Sequence, residues 1–203
     1  MPEMIAVERA LALVLEAARP LPAAVADLTD LPGRILLEPI RADRDMPAWD
    51  KALMDGFAVA SGDLGAEREL VIAQTIAAGA DPGGLAPLAP GAAARIMTGA
   101  PVPRGADAVV PVENSRAGAR PDRVVLEGPV RTGENVAHPG DDVHAGTVLL
   151  EAGDFLGPAE IGVLAACGRT RASAGGRPRV AVLATGDELV PPDAEPGPGR
   201  LRN

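Results

Sequence analysis

Residues that interrupt regular backbone are spread through the whole chain: 24 glycines and 21 prolines among 203 residues. Proline fixes φ and donates no backbone hydrogen bond, while glycine weakens the interior of helices and strands. Long elements are therefore confined to the few stretches that lack both. From Asp45 to about His138 the runs between the breaks are short and β-like, as in "GFAVA", "ELVIAQTIAA", "ARIMT", "DAVVPVE" and "RVVLEGPV". Short strands at regular spacing predict a small β barrel or sandwich over residues 45–140. Trp49, Phe57 and Phe155 are the only aromatic residues, so the cores are expected to consist of Ala, Val, Leu and Ile.

The flanks have a different texture. Met4, Val7, Leu11, Val14, Leu15 and Ala18 recur at helical spacing, which predicts an amphipathic helix over residues 3–18, ended by Pro20 and Pro22. "LPGRILLEPIRA" reads as a turn and a strand. "GTVLLEAGDFLGPAEIGVLAACG" reads as a strand and then a helix, with Pro158 in its first turn and Gly168 just past its end. The apolar run Val180–Ala184 predicts a last strand, followed by the acidic turn Thr185-Gly186-Asp187-Glu188. The fold expected is mixed α/β and multi-domain, with a β module inserted between α/β pieces and another α/β domain starting near the end.

Charge narrows the function. The formal net charge is −9, and Lys51 is the only lysine. Binding to nucleic acid draws on clustered Lys and Arg, so no nucleic-acid partner is expected. An anionic substrate would need a metal ion or a local Arg cluster to offset the global field. The single Cys167 leaves no internal disulfide framework. Glu3, Glu8, Arg9 and Glu16 interrupt the N-terminal apolar positions, unlike a signal peptide, and no apolar run approaches the ~20 residues needed to span a membrane. A soluble cytoplasmic protein is expected.

Four stretches put carboxylates or a threonine hydroxyl beside glycine at a turn: "PAWDKALMDGFAV", "RIMTGAPVPRGADAVV", "GENVAHPGDDVHAG" and "ATGDEL". Each alone is ordinary turn chemistry. His138 and His144 lie six residues apart without a Cys or His companion, so exposed histidines are expected there rather than a zinc site.

Together, in order and spacing, the stretches resemble the molybdopterin molybdenumtransferase family. The resemblance runs from the N-terminal helix through "MDGFAV", "RIMTGAPVP", "GADAVV" and "GENVAHPGDDVHAG" to "VAVLATGDELV", essentially the whole chain. It implies a discontinuous elongated α/β domain (residues 21–44 and 141–175) with a β-barrel-like domain (45–140) inserted in it. The helix of residues 1–20 would pack with a third, α/β, molybdopterin-binding domain, of which residues 176–203 would be the start and Val180–Ala184 the first strand. The activity implied is insertion of molybdate into adenylylated molybdopterin with release of AMP, dependent on Mg²⁺. The site residues implied are Asp55, Thr98, Asp142 and Glu188. Asp142 and Glu188 would hold the metal, and Thr185, Gly186 and Asp187 would line the cofactor. The partners implied are a second copy of the chain in a homodimer, whose sites combine residues of both copies, and the molybdopterin adenylyltransferase.

The sequence also departs from the family. Lys51-Ala52 stands where an Asn-Ser pair is common; Lys51 is expected to pair with Asp50 in solvent, the alternative being that it substitutes for metal charge near Asp55 or contacts an anion. Phe57 replaces a frequent tyrosine. The pterin-binding loops and the basic residues that hold molybdate lie beyond Asn203 in the family, so the chain is expected to be an incomplete piece that does not insert the metal alone. The alternative from another class is a non-catalytic dimerisation or scaffold module. The acidic residues kept at all four motifs favour the enzyme lineage.

Overall fold

The computed structural model describes residues 5–63 and 67–203. The flanking segments fold onto each other across the whole chain. Strand β1 (Ala23–Asp27) pairs antiparallel with β12 (Arg171–Gly175), and β2 (Ile40–Arg41) pairs antiparallel with β11 (Val148–Leu150). Their shared core holds Leu31, Leu36, Ile40, Leu156 and Leu164, roofed by the small residues Ala26, Ala172 and Ala174. Alanine on the strands lets the leucines approach closely, which a chain almost without aromatics requires.

Helix α2 (Pro158–Ala166) supplies Leu164 to that core, and its ends follow from local sequence. Pro158 sits where a missing N–H costs nothing, and Glu160 accepts from the N–H of Gly157 at 3.0 Å. Gly168 ends the helix at φ +69°, a conformation glycine adopts without penalty. Cys167 lies buried beside Leu164 as a small apolar group.

The middle of the chain forms one six-stranded sheet. Its strands are β4 (Gly56–Val59), β5 (Glu67–Ile76), β6 (Ala92–Ile96), β7 (Ala108–Pro111), β8 (Ser115–Ala117) and β9 (Arg123–Glu127), in the order β7-β4-β6-β5-β9-β8. All neighbours are antiparallel except β5 and β6. The predicted runs all become strands. The sheet curls as a half-barrel, leaving β7 and β8 as its edges. Strands β4, β6, β7 and β9 are mostly buried on both faces and read as near-continuous apolar runs, whereas β5 and β8 leave most residues exposed or half-buried. Ala58, Ile76, Ala94, Ile96 and Val109 pack on one face; Phe57, Val59, Leu70, Ala93, Val110 and Leu126 pack on the other. A short pair, β3 (Lys51–Ala52) with β10 (Val136–Ala137), joins the sheet's entry to its exit.

One terminal expectation holds and one changes. The helix predicted over residues 3–18 is α1 (Val7–Ala17); residues 1–4 lie outside the described residues. None of its residues is buried, so its apolar stripe at Val7, Leu11, Val14 and Leu15 faces outward. Val180–Ala184 belongs to no strand, and Val182 is 89% exposed. The apolar run carries the composition of a buried strand, but a strand exists only by pairing, and no described segment pairs with it. Beyond it, β13 (Leu189–Val190) pairs in parallel with β14 (Leu201–Arg202). Among the described residues no helix is long and apolar enough to cross a membrane.

Candidate functional site

The tightest arrangement among the sequence candidates joins Asp55 to Thr98. Asp55 closes the bend between β3 and β4, and Thr98 lies in the turn after β6. That turn is pinned on three sides. Met97 N–H donates to Ile76 O at 3.1 Å, Gly99 N–H to Ala52 O at 2.8 Å, and Ala100 N–H to Met97 O at 2.9 Å. Gly99 takes φ +83°, which explains the glycine of "TGA". Asp55 is held through its own carbonyl, which accepts from Val112 N–H at 3.0 Å. Within this frame both the backbone N–H and the hydroxyl of Thr98 donate to Asp55 Oδ1, each at 2.7 Å. Oδ2 takes neither bond, so it can accept from a water or a ligand.

The Thr98 N–H, and after it the Thr98 hydroxyl, hold the Asp55 carboxyl below the usual carboxylate range. A depressed folded-state pKa adds order that is complete above the unfolded value and is lost as pH falls through the folded value. The Thr98 amide resonance is therefore expected to titrate with a midpoint below the ordinary value of about 3.9. In Thr98→Val, which keeps the N–H and loses the hydroxyl, the midpoint should rise toward it. NMR titration checks this, and a wild-type midpoint at or above the ordinary value would refute it.

A second acidic cluster forms where the loop after β10 docks on residues 46–50. The chain there is tied by Gly140 N–H to Pro47 O at 3.1 Å and by Asp142 N–H to Met46 O at 3.0 Å. This positions the Asp142 backbone and leaves its side chain exposed. His138 Nδ1 lies 2.7 Å from Asp50 Oδ1, and His138 N–H donates to Asp141 Oδ2 at 2.7 Å. Hydrogen bonding to Asp50, aided by the charges of Asp50 and Asp141, raises the pKa of His138. The expected pairing of Lys51 with Asp50 does not form. The Asp50 carboxylate is taken by His138, and Lys51 makes no ion pair among the described residues. His138 and His144 are both exposed and pair with different carboxylates, His144 with Asp45 at 3.8 Å.

Thr185, Gly186, Asp187 and Glu188 form an exposed turn ahead of β13, with Leu189 N–H donating to Gly186 O at 3.1 Å and Leu201 N–H to Glu188 O at 2.7 Å. Asp142 and Glu188 stand in separate loops. Among the described residues no three His, Cys, Asp or Glu side chains converge as a metal-binding group.

Two residues were not singled out from sequence. Asp107 accepts from Ser61 N–H at 2.6 Å and from its hydroxyl at 2.9 Å, bracing the end of β4. Arg95 stacks over Phe57, 5.5 Å from the ring centroid, and lines a cavity of about 160 Å³ together with Asp55, Gly56 and Met97. Only strand register reveals Arg95, because β4 and β6 pair Phe57 with Arg95.

The profile described as "MoeA N-terminal region (domain I and II)" matches residues 5–168. Molybdopterin molybdenumtransferase 2 of Mycobacterium tuberculosis (strain ATCC 25618 / H37Rv) is 38% identical over 200 residues, covering 96% of this chain and 47% of that protein. Molybdopterin molybdenumtransferase of Nostoc sp. (strain PCC 7120) is 40% identical over 182 residues, covering 87% of this chain and 41% of that one. The crystal structure of the molybdopterin biosynthesis moeA protein from Pyrococcus horikoshii OT3 superposes with a TM-score of 0.80 at 30% identity, over 95% of this chain and 52% of that chain. The chain spans about half the length of the curated relatives it matches.

Proposed function

Since the chain belongs to the family of the MoeA N-terminal region, that of the molybdopterin molybdenumtransferases, we propose that it serves molybdenum cofactor biosynthesis, as part of an enzyme that inserts molybdate into adenylylated molybdopterin and releases AMP. The observation that carries this reading is the pair of hydrogen bonds from Thr98 to Asp55 Oδ1, which presents an ionised carboxylate at a turn built from the family's own motifs.

Asp55 is anionic at neutral pH, as an ordinary aspartate is, and Thr98 stabilises that charged form further. With Oδ1 fixed, Oδ2 can orient a water or a hydroxyl for attack or accept its proton. Molybdate and the anhydride of the substrate are both anions, so a cation has to lie between them. Mg²⁺ requires octahedral oxygen ligation. Asp142 and Glu188 are separate and exposed, and the described residues do not by themselves make such a site. The roles assigned within this chain therefore fall to Asp55 and Thr98.

In this reading the protein acts in the cytoplasm as a homodimer whose partner copy adds to the site, and the molybdopterin adenylyltransferase supplies the substrate. Thr185, Gly186, Asp187 and Glu188 contribute to the cofactor side in the longer enzyme. The separation of the Leu164 core from the two cores of the sheet supports a division into residues 21–44 with 141–175 and residues 45–140. Residues 1–20 and 176–203 would belong with the molybdopterin-binding part.

The test measures AMP release from adenylylated molybdopterin with molybdate and Mg²⁺. The 203-residue chain alone is expected to give none, and turnover near that of a full-length relative would contradict this. A hybrid carrying this chain in place of the matching half of the M. tuberculosis relative should release AMP. Asp55→Asn in that hybrid should lower the rate by about 10²-fold or more. An undiminished rate would remove Asp55 from the chemistry.

A further inference from the structure

The carboxylate of Asp55 shares its cavity of about 160 Å³ with one other charged side chain, that of Arg95. Strand register explains the meeting. Arg95 on β6 stands opposite Phe57 on β4, and Asp55 precedes Phe57 by two positions, so both charged side chains leave the same face of the sheet. The ladder carries on past β4 at this point, since Asp55 O accepts from Val112 N–H, and Val112 lines the same cavity.

Opposite charges beside one small cavity would be expected to pair, yet these two do not. Asp55 Oδ1 is taken by the N–H and hydroxyl of Thr98. The Arg95 guanidinium lies over the Phe57 ring instead, 5.5 Å from its centroid, and makes no ion pair among the described residues. Each group is thus held by a neighbour in a way that leaves one side free. Asp55 offers Oδ2 as an acceptor, and Arg95 offers the edge of its guanidinium as a paired donor. Both residues are exposed, so a ligand can reach them from solvent.

A ligand that bridges the two meets opposite demands. The guanidinium edge suits two oxygens of an oxyanion. Oδ2 is negative and accepts only, so it repels a bare oxygen and favours an O–H. An oxyanion that keeps a proton satisfies both at once. Phosphate keeps one at neutral pH, whereas sulfate and molybdate keep none. The cavity is also well below the volume of about 300 Å³ at which sites for whole organic ligands begin, so it suits a single group of this size.

We propose that Asp55 and Arg95 together form a subsite for one protonated phosphate group, gripped by the Arg95 edge and hydrogen-bonded through its proton to Asp55 Oδ2. Selection of phosphate over molybdate at this turn goes beyond the reaction proposed above. It is read by binding without turnover, so a failed AMP-release assay and a failed binding assay are separate results.

The test titrates the full chain at neutral pH and fixed ionic strength with inorganic phosphate, sulfate and molybdate, following the amide resonances of Arg95, Met97 and Thr98. Phosphate is expected to shift them saturably and to bind about tenfold or more tighter than either other anion. Arg95→Gln should weaken phosphate binding by about tenfold. Arg95→Lys, which keeps the charge and loses the paired edge, should bind at an intermediate level. Asp55→Asn gives the sharper readout. Its amide can donate to a bare oxygen, so sulfate should bind this variant as tightly as phosphate does, a gain that loss of structure cannot produce. Arg9→Gln on α1 should bind as the unmodified chain does. Absence of saturable shifts, sulfate equal to phosphate in the unmodified chain, unchanged binding in Arg95→Gln, or sulfate still excluded from Asp55→Asn would each overturn the proposal.

Discussion

Gly56→Ala is expected to break the β module. Gly56 opens β4 between β6 and β7, opposite Ile96 on one side and Pro111 on the other. A Cβ built there would lie 2.0 Å from the Val110 carbonyl oxygen and 2.9 Å from its carbon. Both are backbone atoms of the adjacent strand, so no rotamer change relieves the overlap. Either β7 separates from β4 or the bend carrying Asp55 moves. Overpacking of this kind costs about 3 kcal/mol or more, read as a fall in the urea midpoint. The same substitution at Gly162 is the control. That glycine is exposed within α2 and has nothing within 4 Å of a new Cβ, so Gly162→Ala should stabilise by about 0.5–1 kcal/mol. Equal effects at the two positions would contradict the packing described.

Leu164→Ala is expected to destabilise by about 2–5 kcal/mol. Leu164 is fully buried and is the residue through which α2 reaches the core shared with Leu36, Leu156 and Ala174. Leu31, Leu36, Ile40 and Leu156 around it are fully buried on separate elements and relax only in part into the space it leaves. Leu126 is equally buried but packs in a different cluster on the sheet. Effects of Leu164→Ala and Leu126→Ala should therefore add to within about 0.5 kcal/mol. Strong non-additivity in denaturant unfolding would show that the two cores are mechanically coupled.

The elements that were legible in the sequence are those whose signals are local. Pro158 and Gly168 bracket α2 because each acts on the backbone at its own position. Strands β4, β5, β6, β7 and β9 follow from apolar runs and turn residues within a few positions, whereas β8 (Ser115–Ala117) has no such run. Asp55 and Thr98 were legible as motif residues, but their bond depends on Gly99 and Met97 anchoring a turn to β3 and β5. The Asp50–His138 pair spans 88 positions and displaced the nearer partner Lys51, which adjacency alone favoured. Val180–Ala184 misled for the opposite reason. Its composition is that of a strand, whereas being one depends on a neighbour elsewhere.

The pairing of the chain's flanks also sets an order of events during synthesis. Glu38 accepts from Ser173 N–H across 135 positions, and β1 waits for β12 before it has any partner. The sheet between them is complete once β9 has left the ribosome, so it can condense while the outer unit still lacks half of its strands. Closing the outer unit then brings together the two ends of an already folded insert rather than the ends of a long free loop. That shortens the effective loop and reduces the entropic penalty of so distant a contact. Slow folding of the central sheet would be passed on to the flanks, whose apolar residues would stay exposed until it finished.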